Sequence, residues 1–327
     1  MLFFSLLMLI SGSNSMAQNT YPTVGSIERI DPQINQLISP NAKIEVLSNG
    51  FIWTEGPVYI EDGAYWLFSD IPQNSIFKWD EKGGVQRYLS PSGYTGTVPR
   101  GGEPGSNALI LDEQKRLVLC QHGDRRMARM RAPLNRPTAT FETLAGQFNG
   151  KKLNSPNDAI FDSKGNLYFT DPPYGLVENV DDPSKELSFQ GVFKVTPEGT
   201  IKLITDKLPR PNGIAFSPDE KILYVSNSEF PASWHSFELD ETGNILSEKI
   251  FYTPEKYEGK GAPDGLKVDP HGNIWATGPG GVWIFNPEAK VLGRIKTGEA
   301  TSNCAFNADY SVIFLTCDDY IMRVKLK

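Results

Sequence analysis

Six stretches of this chain resemble one another, and that repetition constrains the fold more than any other feature. They begin Glu55-Gly-Pro-Val, Asn107-Ala-Leu-Ile, Asn157-Asp-Ala-Ile, Asn212-Gly-Ile-Ala, Asp264-Gly-Leu-Lys and Asn303-Cys-Ala-Phe. Each opens with a carboxylate or carboxamide and continues as a short apolar strand. A turn follows, as at Asp162-Ser-Lys-Gly165, Pro218-Asp-Glu-Lys221 and Pro270-His-Gly-Asn273. The next apolar runs predict second strands over 65–69, 117–121, 167–170, 223–226, 274–277 and 313–316. Turn signals between β-rich runs indicate hairpins. The copies recur every roughly 40–55 residues, with room for four short strands and no amphipathic helix, which reads as propeller blades and not as βα units. The expected fold is therefore all-β, a six-bladed β-propeller. Only 24 residues follow Asn303, enough for about three strands. The last blade then lacks its outer strand, which Lys43-Ile-Glu-Val-Leu-Ser48 is expected to supply. That N-terminal strand would close the ring and leave only short, protected edges.

Composition sets the remaining bounds. Aromatic residues make up 11% and charged residues 22% of the 327 positions, which excludes a disordered chain. The net charge of −7 and the lack of a basic tract argue against a nucleic-acid surface. Three cysteines, Cys120, Cys304 and Cys317, cannot build a disulfide framework and stand at no zinc-ligand spacing. They read as small buried apolar residues, with Cys304 nearest the candidate site. The apolar run at residues 1–10 is too short to span a bilayer. With the small-x-small site Ser15-Met16-Ala17 it predicts a signal peptide over 1–17, although its start carries no Lys or Arg. Residues 18–42 are polar and irregular and are expected to lie outside the core, leaving 43–327 as the propeller domain. The mature chain is expected to be secreted or periplasmic, to cross no membrane, and to be a monomer or weak oligomer.

The first strand of each propeller blade lines the axial channel. Glu55, Asn107, Asn157, Asn212, Asp264 and Asn303 should therefore ring one mouth of it. A single Asn entering a strand is ordinary turn chemistry. Six oxygen-bearing side chains out of six, two of them anionic, point instead to a hard cation. Glu55 and Asp264 would balance a divalent charge, and Asn157 and Asn212 would add neutral carbonyl oxygens. No His or Cys opens a copy, so calcium ranks first, with magnesium, manganese or zinc as alternatives. The antiparallel second strands end at the same mouth, at Asp70, His122, Asp171 and Asn227. His122 is the histidine expected at the site, as a proton donor or substrate contact. His235 and His271 fall in a strand or loop and in a turn. The glycine-rich loop over 93–106 carries Arg100 and Glu103 and leads into Asn107. Arg100 suits a carboxylate or polyol, and Tyr174, in Asp171-Pro-Pro-Tyr174, would wall the pocket.

Around Glu55-Gly-Pro, Ser155-Pro-Asn-Asp158, Pro211-Asn-Gly213 and Pro263-Asp-Gly265 the chain resembles the SMP-30/gluconolactonase/LRE-like family. Cys120-Gln-His-Gly-Asp-Arg-Arg126, Thr170-Asp-Pro-Pro-Tyr174 and Ala276-Thr-Gly-Pro-Gly-Gly-Val282 are similar to its bacterial gluconolactonase branch. The resemblance spans residues 43–327 and implies one axial divalent metal, usually calcium. It implies Glu55, Asn212 and Asp264 as ligands, and Asn157 as a substrate contact or water-mediated ligand. It makes Asp264 the candidate general base. Ser155 and Pro156 precede Asn157 where the family carries an arginine, and Arg100 is the candidate replacement. Asn107 and Glu103 complete the expected substrate contacts. The implied activity is hydrolysis of a small-molecule lactone, such as a sugar lactone, to the hydroxy acid. The alternatives are an arylesterase or phosphotriesterase on the same metal, or a calcium-stabilised binding propeller without chemistry. No Gly-x-Ser-x-Gly elbow points to a serine nucleophile.

Overall fold

The computed structural model describes residues 20–327, so the proposed signal peptide lies outside the described residues. Six four-stranded antiparallel sheets follow one another along the chain. The first blade runs Thr54–Ile60, Tyr65–Asp70, Ser75–Asp80 and Gly84–Leu89, hydrogen-bonded in that order. The next four blades repeat the meander, with innermost strands Ser106–Leu111, Ala159–Phe161, Pro211–Phe216 and Leu266–Val268. The second strands lie within one or two residues of their sequence-predicted ends. The last blade takes Thr301–Phe306, Val312–Cys317 and Tyr320–Lys325 from the C-terminus and Ile44–Asn49 from the N-terminus. The register pairs Tyr320 with Asn49 and Val324 with Ile44, so the expected closure is present. Trp66 of the first blade stacks on Phe314 of the last, with ring centroids 4.6 Å apart.

The hairpin turns satisfy their own polar groups. Asp162 Oδ1 accepts the N–H groups of Lys164 and Asn166, and its Oδ2 accepts the Asn166 amide. Asp240 and Asp269 repeat this pattern with Asn244 and Asn273. Such Asx-type turns explain the Asp-x-x-Gly-Asn signature, and they keep these carboxylates occupied on the face away from the site.

One expectation needs correction. Residues 20–42 of the expected 18–42 extension do not stay outside the core. Thr23–Val24 pairs with Ile44–Asn49, and Ser26–Arg29 pairs with Val291–Lys296 on the fifth blade. A short helix over Ile34–Leu37 follows. Ile34 and Ile38 are 0% exposed and pack with Trp275, Ile284, Leu292 and Ile295. Arg29 donates to the carbonyls of Ile38 and Ser39, which ties the segment down. Ile27, Ile30, Ile34, Leu37 and Ile38 recur at three- and four-residue spacing, yet Ser26–Arg29 is a strand and only Ile34–Leu37 is helical, so burial here is decided by tertiary packing. Replacing Ile34 or Ile38 with Ala should cost about 2–5 kcal/mol in denaturant unfolding. A change within about 0.5 kcal/mol would mean the extension is peripheral.

Candidate active site

Each blade enters the axis through a local break in strand pairing. The register shifts between Glu55 and Val58, Ser106 and Leu109, Pro211 and Ile214, and Thr301 and Asn303. In the third blade Asn157 N–H donates to Thr170 O, and Thr170 N–H donates to Asp158 O. In the fifth, Asp264 and Gly265 face Thr277 in the same two-against-one pattern. These are β-bulges, which bend a strand and re-aim its side chains. The six opening residues thus stand at or just before the start of the six innermost strands, the hub of the ring, where Asn303 Nδ2 reaches Glu55 Oε2 at 3.1 Å.

Neighbouring blades are then clasped at the level of the site. Ser69 donates to Asn107 O at 2.8 Å, Thr170 to Asn212 O at 2.7 Å, and Thr277 to Ser302 O at 3.0 Å. Ser302 donates to Thr54 O at 2.7 Å, which joins the last blade to the first. Ala108 N–H reaches Asn157 O, and Gly213 N–H reaches Asp264 O. The glycines of the Asn-Gly and Asp-Gly dipeptides permit this approach. A Cβ at Gly213 would collide with Asp264 O, and one at Gly265 with the Asn303 amide.

The ends of the second strands hold the loops that precede the hub residues. Asp70 accepts the N–H groups of Ile52 and Trp53. Asp171 accepts those of Asn154 and Ser155 at 2.7 and 2.8 Å, and Asn227 accepts that of Arg210 at 3.0 Å. These side chains support the site from behind.

The hub itself is buried and short of partners. Glu55, Asn107, Asn157, Asn212 and Asn303 are each at most 4% exposed. Glu55 Oε2 accepts Gly56 N–H at 2.6 Å and the Asn303 amide at 3.1 Å. Ser228 donates to Pro263 O and so accepts from Asn212 Nδ2 at 3.0 Å, which directs Asn212 Oδ1 elsewhere. Asn107 Oδ1, Asn157 Oδ1, Asn212 Oδ1 and Asp264 Oδ1 are buried without a hydrogen-bond partner. Buried polar atoms normally find one, and each that does not asks for an explanation. Burial raises the Glu55 carboxyl, opposed by the Gly56 N–H and reinforced by Asp158. Burial also pushes Asp264 well up, helped by the charges of Glu55, Asp158 and Glu103. Two carboxylates forced together without water are unfavourable as anions.

The orphan oxygens fit a divalent cation. They are hard donors, and Glu55 and Asp264 supply two negative charges. Among the described residues no group of three or more His, Cys, Asp or Glu side chains is placed to hold a metal. Any cation here would lean on the asparagine carbonyls, a donor set that suits calcium and not zinc.

Around the hub lies the second set of expected residues. His122 is fully buried, with Nδ1 3.2 Å from Glu103 Oε2 and neither ring nitrogen in a well-aligned hydrogen bond. Burial pushes the Tyr174 hydroxyl up to about 12, with a Ser228 hydrogen bond opposing and the Asp264 charge reinforcing. Arg210 lies over its ring at 5.6 Å. Arg100 departs from expectation. Its guanidinium donates to Gly123 O and Gly175 O and lies over Tyr94, so it braces the loop beside His122 and is not aimed at a ligand. Cys304 is buried, and burial pushes its thiol up to about 12. Asp158 and Lys267 were not singled out from the sequence. A regular strand alternates its side chains, and only the bulge brings Asp158 to the hub beside Asn157.

The raised carboxyls imply a pH dependence. A carboxyl raised by folding stabilises the protein below its unfolded pKa, about 4, and that stability is lost as pH climbs through the folded value. The chelator-treated protein should therefore melt at a lower temperature at about pH 8 than at about pH 5. A flat or opposite profile would contradict the buried, unpaired hub.

The fold and its hub define a six-bladed β-propeller with a buried, oxygen-lined axial site. Comparison with known proteins gives the same class. The model of the SMP-30/gluconolactonase/LRE-like region matches residues 53–318, and the chain belongs to that family. It is 36% identical to the gluconolactonase of Zymomonas mobilis, over 97% of this chain and 91% of that protein. It is 27% identical to human regucalcin over 80% of this chain and 82% of that protein. The solved gluconolactonase of Xanthomonas campestris superposes with a TM-score of 0.80 at 29% identity, covering 94% of this chain and 99% of the other.

Proposed function

We propose that this protein is a divalent-metal-dependent lactonase that opens a sugar lactone to the hydroxy acid. The observation that carries this reading is that Asn107, Asn157, Asn212 and Asp264, each opening an innermost strand, all bear a buried oxygen without a hydrogen-bond partner. The 36% identity to a gluconolactonase over nearly the whole chain supports the reaction class. A regucalcin described as calcium-binding shares the fold at a TM-score of 0.66, and the hard oxygen donors favour calcium over zinc. The proposal extends to export from the cytoplasm, on the apolar run and small-x-small site within residues 1–17.

Glu55, Asn157, Asn212 and Asp264 would hold the cation. When bound, it supplies Lewis acidity to the lactone carbonyl. The chain's own groups handle position and protons. Asp264 accepts a proton from the water whose oxygen adds to the carbonyl carbon. The ring C–O bond then breaks, and the leaving alkoxide takes a proton from His122, whose Nδ1 faces Glu103. Asn107 offers its orphan oxygen to a sugar hydroxyl, and Tyr174 walls the pocket. Arg100 acts indirectly, by bracing the loop that carries Glu103.

Acid release from gluconolactone, followed with a pH indicator, tests the proposal. Activity should vanish with chelator and return with calcium. Asp264→Ala should abolish turnover, and His122→Gln should lower kcat by roughly 100-fold or more. Retained turnover in Asp264→Ala would overturn the assignment. Stoichiometric calcium binding without acid release would favour a binding propeller.

A further inference from the structure

Beside the orphan oxygens lies a charged group that the proposed reaction does not use. Asp158 is 1% exposed. Its Oδ1 accepts Ala159 N–H at 2.8 Å, while its Oδ2 makes no hydrogen bond and stands 3.6 Å from Lys267 Nζ. The Lys267 ammonium donates to Leu266 O at 3.0 Å and reaches Asn303 Oδ1 at 3.5 Å. That same oxygen accepts Cys304 N–H at 2.9 Å. The amide of Asn303 is thereby oriented, and its Nδ2 is the end that donates to Glu55 Oε2 at 3.1 Å. One chain of contacts runs from Asp158 through Lys267 and Asn303 to Glu55.

The position of Lys267 gives this chain a direction. The side chain lines a separate cavity of about 400 Å³ with Val58, Leu109, Val268, Ala305 and Phe306. Those residues stand at or near the far ends of the innermost strands, away from the hub residues. The lysine stem therefore lies along the lower channel, and its ammonium caps the hub from below. Long cationic side chains commonly bury the stem in this way.

The charge count then closes. The charged groups that act on the hub carboxyls are Glu55, Asp158, Asp264, Lys267 and, from the mouth, Glu103. Glu103 faces His122 and is 35% exposed at its side chain. Inside the hub, three carboxylates face one ammonium, a formal charge of −2. Removal of Lys267 alone would make it −3, and neutralising Asp158 alone would make it −1.

We propose that Lys267 and Asp158 form a fixed ion pair at the floor of the hub, which sets its charge to suit one divalent cation and holds Asn303 against Glu55. This rests on the metal reading above. Lys267 is a positioning residue here, since it acts on the cation through charge and through Asn303.

A double-mutant cycle tests it. Calcium affinity is measured by titration calorimetry on chelator-treated protein, and the melting temperature is measured without metal. The chains are wild type, Asp158→Asn, Lys267→Met and the double variant. Lys267→Gln replaces Lys267→Met if the latter does not fold, because glutamine can still donate to Leu266 O. Asp158→Asn should weaken calcium by about 10–100-fold, as loss of an outer partner typically does. It should also lower the metal-free melting temperature, because the ammonium is left without its counter-charge. Lys267→Met should shift preference from calcium toward the trivalent lanthanum ion. The double variant should recover both calcium affinity and melting temperature relative to Asp158→Asn. Wild-type affinity in Asp158→Asn, or a double variant no better than Asp158→Asn in either readout, would overturn the pair. A wild-type protein that takes up no divalent cation would instead overturn the metal reading on which the pair's role depends.

Discussion

Burial of like charge at the axis is the constraint that the rest of this propeller accommodates. Glu55 and Asp264 sit close enough in the hub for each charge to act on the other, and a buried carboxylate without a partner costs several kcal/mol. A chain selected only for stability would fill this space with apolar side chains. Here the bulges turn polar groups inward, and four oxygens are left unpaired. Strain of this kind at one place must be over-determined by its surroundings.

That over-determination is visible in three layers. Ser69, Thr170, Thr277 and Ser302 clasp four of the six blade junctions at the hub, and the N–H groups of Ala108 and Gly213 clasp the other two. Asp70, Asp171 and Asn227 pin the loops that arrive there. The ring as a whole is closed by Ile44–Asn49 pairing with Tyr320–Lys325 and by Trp66 stacking on Phe314. Each layer limits how far the hub can relax, so the donors stay convergent when nothing is bound. Preorganisation of this sort is what lets a site bind a small ion or stabilise developing charge without first rearranging.

The sequence carried the blades plainly because hairpins with Asx turns write their period into adjacent residues. Glu55, Asn107, Asn157, Asn212, Asp264 and Asn303 were legible as a set for the same reason: each opens the same local pattern. What depended on distance along the chain was not legible. Ile34 and Ile38 sit in a polar stretch, and only contact with the fifth and sixth blades buries them. Arg100 looked like a free guanidinium, but the carbonyls of Gly123 and Gly175 take it up. Asp158 reaches the hub through a bulge that strand periodicity does not foresee. The repeat pattern marks the residues around the axis, and register shifts and interblade hydrogen bonds give the physical reason they stand there.

The central claim is that the converging oxygens hold one cation on the axis. A crystal grown with manganese and measured for anomalous scattering tests it most directly. The account predicts a single strong peak bonded to oxygens of Glu55, Asn212 and Asp264. A peak confined to turn carboxylates such as Asp162 or Asp240, with none on the axis, would contradict it.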